Sequence, residues 1–96
     1  MNVPESKANA DAPAAKRITL SKMQAGQKGK IVEINGGYGM TQKLDALGIR
    51  VGKNITKVSE QWMRGPVIVR QNHTQVALGF GMASKVMVEI DLKNKI

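Results

Sequence analysis

Apolar residues in this chain come in short runs, Pro66 to Val69 being typical, and each is soon closed by glycine, asparagine or proline. That punctuation leaves little choice of architecture. Short β-branched runs between Gly, Asn and Pro read as strands joined by tight turns. The expected strands are KGKIVEIN, NITKVSEQW, VIVRQ, TQVALG and KVMVEI. In the last, Val86, Val88 and Ile90 alternate with Lys85, Met87 and Glu89, so one face is apolar. Asn72 and His73 fit a two-residue hairpin loop, because both tolerate positive φ. MRGP marks another turn, with Pro66 safe only at the start of the strand that follows.

One segment breaks the period of two. Met40, Leu44 and Leu47 stand at i, i+4 and i+7 and so share one helical face. Gly48 supplies the left-handed residue that ends the helix. At about two and a half turns it is too short to stand alone. TLSKMQAGQKG reads as a lead-in turn, and FGMAS as a corner or single helical turn. The pattern predicts a mainly β fold: a small, curved barrel of about five strands, with one short α-helix capping an open end. Met40, Leu44 and Leu47 are expected to complete its core.

Ninety-six residues make one small domain, with little core to spare for a deep active site. Residues 1–16, rich in Ala, Asn and Pro, are expected to be a disordered tail, and 17–96 the domain. There is no cysteine, which excludes disulfides, thiolate zinc sites and cysteine nucleophiles, and favours a reducing, intracellular home. No run approaches the ~20 apolar residues of a membrane span, and a signal peptide is not expected. Fifteen Lys and Arg against seven Asp and Glu give +8. Lys7 and Lys16 cancel Glu5 and Asp11, so the domain carries the excess. Such a surface attracts nucleic acid, anionic headgroups or acidic protein faces.

Side chains suited to chemistry are scattered. His73 is the only histidine, and its neighbours Asn72, Thr74 and Gln75 are weak ligands, so no metal site is expected. The six methionines read as core filling and adaptable surface. GGYG lacks the rest of any phosphate-binding motif. No triad spacing or carboxylate pair suggests an enzyme, and no cofactor is expected. Trp62, Met63 and Arg64 form the best candidate contact loop, since Trp and Arg are enriched at binding hot spots and Met adapts to a partner's shape. Lys43 and Arg50, flanking the helix, are candidates for a cationic rim that steers docking.

Four elements recur in order: L-S-x-M-x-x-G-x-x-G-x-I from Leu20, L-x-x-L-G-I-x-x-G from Leu44 to Gly52, G-P-V-I-V from Gly65, and A-L-G-F-G-M-A ending at Ala83. Together they resemble the FeoA family of bacterial ferrous iron uptake systems, over Leu20 to Glu89. The resemblance implies an SH3-like barrel in the cytoplasm, at most peripheral to the membrane through its partner. It also implies a non-enzymatic accessory role by contact with the FeoB transporter, which has a cytoplasmic GTP-binding domain. The same domain ends iron-dependent repressors, where it makes protein contacts. Many family members carry A-P-L-G-D-P where this chain has Gln61 to Pro66, so an acid is lost and an aromatic and a cation are gained. The alternative is a small basic SH3-like module that binds nucleic acid, with Tyr38, Trp62 and Phe80 as its stacking groups. Self-association is compatible with either.

Overall fold

The computed structural model describes residues 15–59 and 63–91. The elements in chain order are β1 (Ala15–Thr19), a 3-10 turn (Leu20–Lys22), β2 (Lys28–Ile34), α1 (Tyr38–Ala46), β3 (Asn54–Lys57), β4 (Val67–Gln71), β5 (Thr74–Leu78), α2 (Phe80–Ala83) and β6 (Val86–Asp91). The six strands form one antiparallel sheet in the order β1-β6-β2-β3-β4-β5. The mainly β, SH3-like fold expected from the sequence is present, with two corrections. Among the described residues there are six strands rather than about five, and the barrel they form is open, because β1 and β5 are its outer strands and do not pair with each other.

The extra strand is β1. Ala15 and Lys16, on the tail side of the expected boundary, pair with Asp91 and Ile90 of β6. Nothing in Ala-Lys-Arg alternates clearly, and the pairing comes from β6, whose second backbone edge, the one not paired with β2, takes β1 as its partner. β3 is also shorter than NITKVSEQW, ending at Lys57. Residues 60–62 lie outside the described residues, as do 1–14.

Alternation fills the core as expected along β4 and β6: Val67, Val69, Val86, Val88 and Ile90 are buried. Ile31, Ile55, Leu78 and Leu20 join them. Each such side chain stabilises the fold by about 1.5–3 kcal/mol relative to exposure. A bulge between Ile31 and Glu33 in β2 shifts its register on β6. Bulges increase the local twist of a strand, which suits a curved sheet.

The helix seats differently from the expectation. Leu44 is buried and Met40 is half-buried against the core, but Leu47 is 43% exposed. The cause is the way α1 ends. Gly48 has φ +84, its N–H donates to Asp45 O at 2.9 Å, and Ile49 N–H donates to Leu44 O at 2.8 Å. This is the Schellman arrangement, which brings the residue after the glycine onto the last full turn. Ile49 therefore packs with Leu44, both fully buried, and Leu47 at the C-cap is turned out.

Lys57, the last residue of β3, has no exposed surface at all. Its Nζ donates to Ser21 O at 3.1 Å and to Met23 O at 2.7 Å. Its backbone N–H donates to Gln27 O at 3.0 Å, and its carbonyl accepts from Gly26 N–H at 2.7 Å. Side chain and main chain together pin the Ser21–Gln27 segment to the sheet. Hydrogen bonds of this kind are what make a buried lysine head group tolerable. Ser84 Oγ reaches Ser21 Oγ at 3.4 Å, and Ser21 Oγ lies 2.9 Å from Thr19 Oγ1. The 3-10 turn is thus joined to α2 as well.

Candidate interaction surface

Four large apolar side chains are exposed among the described residues: Tyr38, Leu47, Val51 and Met63. Three of them lie on α1 or on the turn that follows it. Tyr38 opens α1, where its hydroxyl accepts from Gln42 Nε2 at 3.0 Å. Leu47 and Val51 bracket the buried Ile49. The helix therefore contributes little to the core beyond Leu44 and Met40, with Ile49 added from the turn after it, and presents the rest of its surface to solvent.

Lys43 and Arg50 are the cations that the sequence expects to rim this region. Lys43 is exposed on the last turn of α1, and Arg50 follows it, also exposed. Arg50 Nε pairs with Asp45. Both partners are more than half exposed, so the pair orients the guanidinium more than it stabilises the fold.

The second expected contact element is the turn between β3 and β4. Met63 and Arg64 have φ of 52° and 62°. Positive φ at two successive residues suits Asn and Gly and is costly for Met and Arg. Arg64 is held there in part by its guanidinium, 5.6 Å from the centre of the Phe80 ring at the start of α2. Met63 is left 82% exposed at the tip. Strained turns of this kind cluster at ligand clamps. Trp62 lies outside the described residues. Arg50 is tied to α1 through Asp45, and Arg64 to α2 through Phe80, so the candidate residues belong to two separately anchored elements.

Sequence reasoning missed Leu47 and Val51 as surface. The available signal was the apolar Ile49 directly after Gly48, which the Schellman motif pairs with the buried Leu44. Among the described residues no three His, Asp or Glu side chains gather in a group able to hold a metal ion. His73 is exposed in the β4–β5 hairpin. No helix among the described residues is long and apolar enough to cross a membrane.

An open, six-stranded antiparallel sheet with one short helix places the protein in the class of small SH3-like β domains. The chain belongs to the FeoA domain family, an iron-transport family whose model matches residues 18–90. It is 33% identical over 70 residues to "Putative Fe(2+) transport protein A" of Methanocaldococcus jannaschii, covering 73% of this chain and 83% of the relative. Its backbone is similar to the crystal structure of an iron uptake regulatory protein (FeoA), with a TM-score of 0.74 and 35% identity, over 78% of this chain and 99% of that one. A manganese-dependent transcriptional repressor shares the fold, with a TM-score of 0.72 and 20% identity. There the match covers 90% of this chain and 48% of the repressor.

Proposed function

We propose that this protein is a cytoplasmic, non-enzymatic accessory of ferrous iron uptake that acts by docking on the cytoplasmic part of the FeoB transporter. The observation that carries the reading is the bare apolar set on α1 and its following turn, Tyr38, Leu47 and Val51, flanked by Lys43 and Arg50. Family membership supplies the transport system. The Met63–Arg64 turn, with Trp62 before it, is the second contact element, and its strained geometry keeps Met63 presented. Regulation follows if the surface binds one conformation of the transporter better than another, since a ligand shifts an equilibrium only by that difference.

The test is co-purification from native membranes, with and without guanine nucleotide. The expected result is retention of FeoB that depends on nucleotide state and drops when Leu47 and Val51 are both changed to Ser. Retention in no nucleotide state overturns the proposal. A gel-shift series across ionic strength covers nucleic acid: binding that survives physiological salt would replace the transport reading, since purely electrostatic association falls steeply with salt.

A further inference from the structure

Among the described residues the sheet has two outer strands, and they are built differently. β1 carries Lys16 and Arg17, both exposed. Charged side chains of this kind block unwanted pairing at a free edge. β5, Thr74–Leu78, carries no charge and no proline. The uncharged stretch extends from Gln71 to Ser84 in a chain that is 23% charged. One edge of this strongly basic protein is therefore guarded and the other is not.

The hydrogen-bonding directions at β5 follow from its neighbour. Val58 N–H donates to Ile68 O at 2.8 Å, so Ile68 in β4 faces β3, and Val67, Val69 and Gln71 face β5. Their register partners are Leu78, Val76 and Thr74. Those three direct their backbone groups to β4. Gln75 and Ala77 then direct both N–H and C=O outward, beyond the last strand of the sheet.

We infer that β5 is a pairing edge for a second copy of this chain, joined antiparallel about a two-fold axis at Val76. In that register Gln75 pairs with the other copy's Ala77 and Ala77 with its Gln75, so every outward backbone group on both strands is satisfied. Val76 is only half-buried, packed at the margin of the core. On the axis it meets its own copy in a non-hydrogen-bonded pair, where side chains approach most closely and β-branched residues pack well. On the opposite face Ala77 lies beside Ile68, so no charge enters the new contact. Arg70, the register partner of Gln75, lies one strand inside. Across the joint the two Arg70 side chains are three strand spacings apart, about 14 Å. That exceeds the Debye length of about 8 Å at physiological salt, so repulsion between the two Arg70 charges is largely screened. A guarded β1 and an unguarded β5 also restrict assembly to the closed pair, since β1-to-β5 joining would run on as a filament.

The test is sedimentation velocity over concentrations up to roughly millimolar, with amide hydrogen exchange read residue by residue. The expected result is a monomer–dimer equilibrium in which the amides of Gln75 and Ala77 gain protection as the dimer fills. Ala77 is exposed, so Ala77→Lys and Ala77→Glu leave the monomer folded, as their thermal melts will show. In the joint the two residues at 77 sit diagonally, about 7–8 Å apart. Each variant alone is expected to remain monomeric, and an equimolar mixture of the two to dimerise again. A monomer throughout, a dimer with unchanged exchange at Gln75 and Ala77, a ladder of larger species, or dimerisation of Ala77→Lys alone would each overturn the inference. Retention of the transporter on membranes is unaffected by any of these outcomes, so the two proposals fail separately.

Discussion

The segment around Lys57 and the segment around Leu47 use their residues in opposite ways. At the first, a lysine that composition would place in water is wholly buried and holds two carbonyls of the 3-10 turn region. At the second, a leucine that periodicity would place in the core is turned outward. The first arrangement closes the domain where the 3-10 turn meets the sheet. The second leaves apolar surface bare, a cost that a partner's contact would offset. Position relative to a chain reversal, not residue type, decided both.

The largest test of this contrast is Lys57→Met, which keeps the length of the side chain and removes its donors. Leaving Ser21 O and Met23 O without them is expected to cost about 3–5 kcal/mol in urea unfolding. At about 4–8 °C per kcal/mol this is a large fall in Tm. An unchanged midpoint would mean the head group is not what pins the turn. Next is the leucine pair. Leu44→Ala is expected to cost about 2–4 kcal/mol through cavity formation, whereas Leu47→Ala three positions on should stay within about 0.5 kcal/mol. Equal losses would return Leu47 to the core and remove the contact surface. Gly48→Ala probes the device that separates them. Its φ is +84, and a Cβ would lie 3.0 Å from Gln71 Nε2, so a loss of about 1–2 kcal/mol is expected by thermal melting. The smallest effect has the opposite sign. Changing Met63 and Arg64 together to Asn and Gly relieves two left-handed side chains at the loss of one cation–π contact, and is expected to stabilise by about 1 kcal/mol. A more stable protein that retains less transporter would show that the turn's strain serves binding.

Much of this was readable before the structure. Val67 to Val69 and Val86 to Ile90 alternate or run as strands should, Asn72 turns a hairpin with φ 57°, and Gly48 ends the helix. Those features are local, and local chemistry fixes them. β1 was hidden because Ala15 to Arg17 carry no pattern of their own and take their form from β6. Lys57 was hidden because its partners lie more than thirty residues away in the chain. The same holds for the site. Met63 and Arg64 were marked by residue type, Lys43 and Arg50 by their place beside the helix, and the exposure of Leu47 and Val51 only by the geometry of the helix end.

The pairing of Ala15 with Asp91 has a consequence for how the molecule is assembled. The earliest described strand is completed by the latest, so β1 must wait unsatisfied while everything between them is synthesised and arranged. Contacts between such distant parts of a chain are slow to form. Lys16 and Arg17 then serve during that interval as well, discouraging a premature match with a neighbour's backbone. Because Ala15 and Asp91 lie side by side, a permuted chain that links them and begins instead at the Asn72–His73 hairpin should reach the same fold with the wait moved to β4 and β5, which then become its last and first strands.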